Sequence, residues 1–260
     1  PIMCGSTVAY NRSIPELGDD LRIVRPTILI AVPRIFERVY NKIQNGLTEK
    51  SALARKLFAT TVNVGWRRFE NNQGRAPRSI GHWFWPLLDR LVAAKVMDKL
   101  GGRLRFAVCG GAPLSPTVAR FFIGLGLPLI QGYGLTETSP VIAANRLEDN
   151  EPRSVGTPLQ DADIRIGADD ELLVRGPGVM LGYWDNAAAT AAMIDADGWL
   201  HTGDQARIDD QGHIHITGRL KEILVLANGE KVPPADMEMA IVMDPWFEQA
   251  MVIGDDRPFL

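Results

Sequence analysis

Short apolar runs alternate with longer amphipathic stretches through the first half of this 260-residue chain. Four of the runs are nearly continuous in apolar residues and end in Gly or Pro, a pattern typical of strands covered on both faces. They lie at 6–10, 26–33, 103–111 and 127–134. We predict a strand at each.

The stretches between these runs have the periodicity of helices. They cover 33–47, 52–70 and 83–100, and a further helix is predicted to begin with Ser115 as its N-cap and Pro116 at its first helical position. Strands that alternate with helices predict a largely parallel sheet.

The pattern changes near residue 155, where short alternating strands follow one another between polar turns. This alternating pattern predicts an antiparallel sheet or a small barrel. From about residue 222 a strand, a helix and a last apolar run at 249–255 indicate a further unit. The predicted class is α/β: a parallel-sheet part (1–154), a barrel-like antiparallel part (155–220) and the start of a small α+β domain (221–260).

Composition narrows the possible classes of function. Hydrophobic residues make up 46% of the chain and charged residues 23%, so we expect a folded protein. The net charge of −3 and the lack of a basic run argue against nucleic-acid binding. There is no apolar run long enough to span a membrane and no secretory signal, and Cys4 and Cys109 are far apart. We therefore expect reduced thiols and a cytoplasmic location.

The segment QGYGLTETSP at 131–140 has the residues of a nucleotide site. Gly132 and Gly134 give a ligand access to bare backbone, and the ring of Tyr133 can stack on a base. Thr136 offers a hydroxyl to phosphate oxygens, and the carboxylate of Glu137 beside phosphates implies Mg²⁺. A glycine-rich turn with Thr136 as a helix cap explains the same residues, and this segment alone leaves both interpretations open.

A second segment, AVCGGAPLS at 107–115, is again a strand that runs into glycines and then into a helix start. Two neighbouring parallel strands that end in Gly would form one continuous backbone surface on which a flat base could lie. An ordinary tight turn between a strand and a helix is the alternative.

Six blocks in order resemble the adenylate-forming superfamily: GGAPLS, QGYGLTET, VGTP, LLVRGPGVMLGYW, DGWLHTGD and GRLKEILVLANGEKVPPADME. With RPTILIAVPRIFERVYNKI, the chain is most similar to long-chain fatty-acid–CoA ligases within that superfamily. The resemblance implies that ATP and a long-chain fatty acid give an acyl-adenylate, from which the thiol of coenzyme A displaces AMP.

The resemblance also implies a role for particular residues. Gly110, Gly111 and Ala112 would lie along the adenine and the acyl group, and the segment Gln131, Gly132, Tyr133 and Gly134 would frame the base. Thr136 would contact phosphate and Glu137 would hold Mg²⁺. Asp204 would accept hydrogen bonds from both ribose hydroxyls, and Arg219 would reach ribose or phosphate. A turn aspartate and a surface arginine at a strand end are the alternatives for these last two.

Lys221 matches the hinge about which the small C-terminal domain of this superfamily swings between the two steps. Gly229 belongs to the loop that approaches coenzyme A. Here the chain departs from the commoner pattern, with Asn228 in place of Gly, Lys231 in place of Asn and Pro233 in place of an aromatic residue. These changes put the details of the thiol step in doubt.

The phosphate loop with its lysine and the late lysine-bearing loop of the superfamily do not occur in this sequence. We therefore expect a longer natural protein, and little ligase activity from this chain alone. Two rivals stay open: a synthetase for another acid or for a carrier-protein acceptor, and a non-catalytic nucleotide-binding module.

Three other features are interpreted as structural. His213 and His215 could suit a metal, but a solvated face of the barrel is favoured. The cluster HWFWP at 82–86 could contact a membrane surface, although a core or covered position is favoured. His201 could touch a nucleotide or only pack its loop. Chain-length preference and oligomeric state stay open.

Overall fold

The computed structural model describes residues 5–227, 230–244, 246–247, 249–255, 257 and 259. The chain divides into two compact units, Pro1–Ile130 and Gln131–Leu260. This division falls earlier than the change of sequence pattern near residue 155, and the predicted domain bounds stay predictions.

The first unit is mainly helical, with one parallel pair of strands. Its helices are α1 (Leu17–Val24), α2 (Pro33–Thr48), α3 (Ala52–Asn72), α4 (Trp85–Leu88), α5 (Ala94–Lys99) and α6 (Pro116–Gly124). Strand β1 (Ile28–Ala31) pairs in parallel with β2 (Phe106–Cys109), in the register Ile28 to Phe106. The predicted parallel pairing is confirmed for these two strands.

Aromatic side chains of α2, α3 and α6 form the centre of this unit. The ring centroid of Phe121 lies 5.7 Å from that of Phe58 and 4.9 Å from that of Tyr40. Helices α3 and α6 touch at a pair of glycines, since a Cβ on Gly65 would lie 1.9 Å from the carbonyl oxygen of Gly124. Only a bare backbone permits so close a helix contact.

Two predictions for the first unit are wrong. Residues 6–10 are exposed and form no strand, because no neighbouring strand pairs with them in the described part of the chain. The predicted helix at 83–100 is broken into a 3₁₀ turn (Ile80–Phe84), α4, a π-helical turn (Asp89–Ala93) and α5. The 3₁₀ turn directs Trp83 and Phe84 outward, and they are 85% and 58% exposed. These two residues of HWFWP therefore do not lie in the core of this unit, and a covered interface stays a prediction.

The second unit is mainly antiparallel sheet. Strand β3 (Leu129–Gly134) leads into it and pairs with β4 (Val141–Ala144), which pairs with β5 (Thr157–Pro158). A four-stranded antiparallel sheet follows in the order β6 (Asp163–Ile166), β7 (Glu171–Arg175), β8 (Leu200–Ile208) and β9 (Ile214–Arg219). Helix α7 (Ala187–Met193) lies between β7 and β8 in sequence.

Side chains from β4, β7, β8 and β9 form a common core. Fully buried side chains of Ile142, Leu172, Val174 and Ile214 pack together with Ala143 and Ala206. The predicted antiparallel character is therefore confirmed, and so is the mixed α/β class.

The last part of the chain begins with a short hairpin of β10 (Leu224–Val225) and β11 (Lys231–Val232), which is followed by α8 (Ala235–Val242). The strand predicted at 249–255 is absent, as these residues have no regular secondary structure. Across the described residues, no helix is both long enough and apolar enough to cross a membrane.

Candidate nucleotide site

Asp204 on β8 and Arg219 on β9 face each other across the strand pair. They are partners in the strand register, one residue pair before a bulge between Gln205 and Ala206. The Nε atom of Arg219 lies 3.1 Å from Oδ1 of Asp204. The Asp204 side chain is 10% exposed and that of Arg219 is 50% exposed, so the guanidinium lies at the surface above a nearly buried carboxylate.

Tyr133, on β3, reaches the other oxygen of the same carboxylate. Its hydroxyl donates to Oδ2 of Asp204 over 2.5 Å. Burial, together with this hydrogen bond, raises the pKa of Tyr133 far above its usual range, so the phenol keeps its proton. Three residues predicted from separate blocks of sequence therefore form one chain of contacts, Tyr133–Asp204–Arg219.

Asp204 lies inside β8 and does not cap a turn, which removes the alternative interpretation of this residue. Thr202 closes the bend at Gly203, because its Oγ1 accepts a hydrogen bond from the N–H of Asp204 over 3.1 Å. The Thr202 hydroxyl in turn donates to the carbonyl of Leu172 over 2.7 Å. The carboxylate of Asp204 is thereby left to face Tyr133 and Arg219.

The two glycines beside Tyr133 have different surroundings. A Cβ on Gly134 would lie 1.7 Å from the carbonyl oxygen of Pro140, so this glycine is required by the close approach of its own chain at the β3–β4 bulge. A Cβ on Gly132 would meet nothing closer than 3.7 Å. The fold therefore gives no steric reason for glycine at position 132.

Gln131, also predicted at the base, has a structural use. Its side-chain amide donates to the carbonyl of Pro152 over 2.7 Å, and the residue is 9% exposed. Gly110, Gly111 and Ala112 follow β2 in the first unit, and Gly111 has a φ of 86°, a conformation that favours glycine.

The 3₁₀ turn Thr136–Thr138 follows β3 and carries the predicted phosphate and magnesium residues. Thr138 stabilises the turn, since its Oγ1 accepts from the N–H of Leu135 over 3.0 Å. The Thr136 side chain is exposed, so the capping function that the alternative gave to Thr136 belongs to Thr138. Oε1 of Glu137 accepts a hydrogen bond from the Tyr183 hydroxyl over 2.7 Å.

A sequence model described as "AMP-binding enzyme" matches residues 1–184, and one described as "AMP-binding enzyme C-terminal domain" matches residues 221–260. The chain belongs to the AMP-binding enzyme family.

Relatives of this AMP-binding enzyme chain include a fatty-acid–CoA ligase and an acyl-CoA synthetase. The long-chain-fatty-acid–CoA ligase FadD15 of Mycobacterium bovis is 39% identical over 254 residues, which are 98% of this chain and 42% of the relative. The peroxisomal long chain acyl-CoA synthetase 7 of Arabidopsis thaliana is 35% identical over 261 residues, with 95% and 36% covered. The chain thus spans less than half the length of these relatives.

Solved structures of similar fold include the anthranilate CoA ligase AuaEII in complex with anthranoyl-AMP, with a TM-score of 0.62 and 19% identity over 94% of this chain and 40% of that one. The amide bond synthetase McbA of Marinactinospora thermotolerans has a TM-score of 0.61 and 24% identity, with 96% and 43% covered. At these identities the likeness supports the shared fold of the AMP-binding enzymes.

Glu137 is suited to the magnesium ion that the AMP-binding enzyme motif implies. One carboxylate oxygen is held by Tyr183, and Oε2 has no hydrogen-bond partner or ion pair among the residues described. An anionic oxygen held at one side and open at the other fits a hard divalent cation. No group of three or more His, Cys, Asp or Glu side chains that could hold a metal by themselves occurs in the described part of the chain.

Lys221, the predicted hinge of this AMP-binding enzyme chain, lies in the 3₁₀ turn Leu220–Glu222 directly after β9 and is exposed. Gly229, predicted in the coenzyme A loop, lies outside the described residues, as does Asn228. Lys231 is described, and its Nζ lies 3.5 Å from Oδ1 of Asp169.

His213 and His215 are 1% and 8% exposed, so the prediction of a solvated face is wrong. Nε2 of His213 lies 2.9 Å from Oδ1 of Asp149, and Nε2 of His215 lies 3.0 Å from Oδ2 of Asp209. These carboxylates give one ring nitrogen of each buried histidine a partner, which lowers the cost of burying the polar rings. Nδ1 of His213 has no hydrogen bond among the described residues and lies 3.3 Å from Oδ2 of Asp209. His201 lies in β8 and not in a loop, and its Nδ1 is 2.7 Å from Oε2 of Glu171 on β7.

Sequence reasoning missed Tyr183 as a contact of the candidate site. The block LLVRGPGVMLGYW at 172–184 was used for the resemblance, but nothing in its spacing connects Tyr183 to Glu137, 46 positions earlier. Only the folded chain brings the two together.

Proposed function

We propose that the protein to which this chain belongs is an ATP-dependent long-chain fatty-acid–CoA ligase. The observation that carries the proposal is the contact chain Tyr133–Asp204–Arg219, in a chain of the AMP-binding enzyme family. Relatives named as long-chain fatty-acid–CoA ligases or synthetases, at 35–39% identity, support the choice of acid and acceptor.

The proposed reaction has two steps. A carboxylate oxygen of the fatty acid attacks the α-phosphorus of ATP and breaks its bond to the bridging oxygen, which leaves as pyrophosphate. The deprotonated thiol of coenzyme A then attacks the acyl carbon and expels AMP, giving acyl-CoA. Adenylation is needed because a free carboxylate would have to expel oxide, whereas the adenylate expels a stable phosphate monoester.

Asp204 and Tyr133 are proposed to orient the nucleoside. A nearly buried carboxylate that Tyr133 and Arg219 already hold in place loses little freedom when ribose hydroxyls donate to it. The exposed face of the Arg219 guanidinium is proposed to attract the ribose or the phosphate chain. A Cβ on Gly132 would make only an ordinary contact, at 3.7 Å from the carbonyl oxygen of Ala143, so the fold leaves room for the proposal that the base requires glycine there. Gly110, Gly111, Ala112, Gln131 and Gly134 stay proposed contacts.

Thr136 and Glu137 are proposed to receive the phosphates. The exposed hydroxyl of Thr136 would donate to a phosphate oxygen, and Oε2 of Glu137 would help to hold Mg²⁺. Bound magnesium would supply charge neutralisation for the triphosphate and its leaving group. The contribution of the chain is to fix the position of the carboxylate on a short turn.

The remaining parts of the proposal concern movement and location. Lys221 is proposed as the hinge of a small domain that begins at residue 221, and the loop with Gly229 as its contact with coenzyme A. The domain bounds 1–154 and 155–220, and a cytoplasmic location, belong to the same proposal.

The full-length protein tests the function. We would measure pyrophosphate release with fatty acids of increasing chain length, with and without coenzyme A. Release that needs ATP, Mg²⁺ and a long-chain acid, with acyl-CoA formed only when coenzyme A is added, is the expected result.

Other outcomes identify the rivals. Preference for an aryl, amino or short acid, or an adenylate that is passed only to a carrier protein, would assign a different ligase of the same family. Nucleotide binding without pyrophosphate release for any acid would mean a non-catalytic module.

A further inference from the structure

The segment 176–186 lies on the turn that carries Glu137. The N–H of Met180 donates to the backbone carbonyl of Glu137 over 2.8 Å, which fixes the segment to the turn through main chain. A Cβ on Gly178 would lie 3.0 Å from the carbonyl oxygen of Thr138, so backbone meets backbone there as well. Neither contact depends on the side chain at position 183.

Tyr183 adds a contact to the carboxylate itself. Its hydroxyl donates to Oε1 of Glu137 over 2.7 Å, and its own N–H donates to Oγ1 of Thr190 over 2.9 Å, which anchors the residue at the start of α7. The neighbouring Trp184 is 96% exposed and makes no such contact.

We propose that Tyr183 is a positioning residue, which holds one oxygen of the Glu137 carboxylate and thereby presents the other to the metal ion of bound ATP. A Glu side chain on a short exposed turn has several rotamers, and only some of them direct an oxygen at the nucleotide. One hydrogen bond to a fixed phenol selects among these rotamers before the ligand arrives. The inference rests on the proposed function, because it needs the metal–nucleotide complex as the ligand.

The test uses the full-length protein and the change Tyr183→Phe, with Trp184→Phe as the matched control. The main readout is the dissociation constant for Mg²⁺·ATP, measured by calorimetry without fatty acid, so that no turnover contributes. We expect Tyr183→Phe to weaken Mg²⁺·ATP about fivefold, the effect of one hydrogen bond, and Trp184→Phe to leave it unchanged. The KM for the fatty acid should not move in either variant.

A double-mutant cycle shows whether Tyr183 acts through Glu137. In a Glu137→Gln background, Tyr183→Phe should weaken Mg²⁺·ATP by much less than fivefold. Equal losses in both backgrounds, or no loss with native Glu137, would overturn the inference. A thermal-unfolding midpoint that falls in Tyr183→Phe while Mg²⁺·ATP affinity is unchanged would also overturn it, and would mean that the residue only holds its loop.

The failure of the inference is distinct from the failure of the proposed function. If the native protein binds Mg²⁺·ATP and forms long-chain acyl-CoA while Tyr183→Phe behaves as native, only the positioning role is lost. If the native protein forms no acyl-adenylate with any acid, the proposed function itself is lost.

Discussion

Arg219 holds Asp204 from across the β8–β9 pair, with its Nε atom 3.1 Å from Oδ1. The same carboxylate accepts from Tyr133 on its other oxygen. Both contacts come from side chains of the chain itself, so the fold orients this acceptor. The effect of these contacts on ATP affinity can be measured separately from their effect on the free energy of unfolding.

Asp204→Asn should weaken ATP binding by about ten- to hundredfold in the full-length protein, because a charged acceptor of two hydroxyl donors becomes a neutral one. The free energy of unfolding should change by about 1 kcal/mol, since the amide oxygen of Asn can still accept from Tyr133 and solvent screens the ion pair with the half-exposed Arg219. Calorimetric titration with ATP and urea unfolding measure the two effects.

Asp163→Asn is the control, because Asp163 also pairs with an arginine on this sheet. Its Oδ2 lies 3.1 Å from Nη2 of Arg175, and both side chains are well exposed. ATP affinity should be unchanged in this variant. An equal loss of affinity in both variants would assign the effect to the sheet as a whole and remove Asp204 from the ribose site.

Gly134→Ala should lower the stability of the fold, whereas Gly132→Ala should lower the affinity for ATP. A Cβ at position 134 would overlap the carbonyl of Pro140 at 1.7 Å, so this change should destabilise the fold by about 3 kcal/mol or more. A Cβ at position 132 would lie 3.7 Å from its nearest neighbour, the carbonyl oxygen of Ala143, so the fold should tolerate it. Gly132→Ala should instead weaken ATP binding, since the methyl group would enter the space proposed for the base.

Thermal unfolding and ATP titration of both glycine variants separate the two effects. If Gly132→Ala binds ATP as the native protein does, the base does not approach that backbone. A Gly134→Ala variant as stable as native would mean that the bulge at β3 and β4 can rearrange.

The sequence predicted the contact chain better than it predicted the surroundings of its residues. Tyr133, Asp204 and Arg219 come from blocks whose order and spacing are specific, so their meeting could be expected. The unequal roles of Gly132 and Gly134 could not be predicted from the sequence, because the carbonyl of Pro140 comes close to Gly134 only through the bulge between β3 and β4.

Errors arose where alternation or apolar content was the only guide. His213 and His215 alternate with isoleucines, which suggested a solvated face, yet Asp149 and Asp209 supply partners from other segments and allow both rings to be buried. The cluster at 82–86 is rich in aromatic residues, but a 3₁₀ turn directs two of them outward. Periodicity along one segment does not contain this information.

Cys109 should be nearly inert to thiol reagents in the folded protein. Burial, with a smaller contribution from the charge of Glu37, raises the pKa of its thiol to about 12. At pH 8 only about one molecule in ten thousand would then carry the reactive thiolate, against roughly a quarter for an ordinary cysteine. Alkylation followed by mass spectrometry of the peptide that contains Cys109 measures the rate, and urea should restore fast labelling. Fast labelling of the native protein would show that the end of β2 is open to solvent.

Asp209 joins the two buried histidines to the turn after β8. Burial alone would raise the pKa of its carboxyl, but hydrogen bonds from His215 and from the N–H groups of His213 and Gln211 hold that pKa below its usual value near 3.8. Because the pKa is lower in the folded state, Asp209 stabilises the fold fully above about pH 4 to 5, and this stabilisation is lost as the pH falls below that range.

Asp209→Asn should therefore lower the free energy of unfolding by about 1 kcal/mol at pH 7, and the difference from native should shrink as the pH is lowered below about 4. The neighbouring Asp210 is exposed, so Asp210→Asn serves as the control and should change stability by less than about 0.5 kcal/mol at either pH. Urea unfolding at pH 7 and at pH 3.5 gives the four differences. A loss in Asp209→Asn that is the same at both pH values would mean that the carboxylate charge does not stabilise the histidine pair, and that only the shape of the side chain matters there.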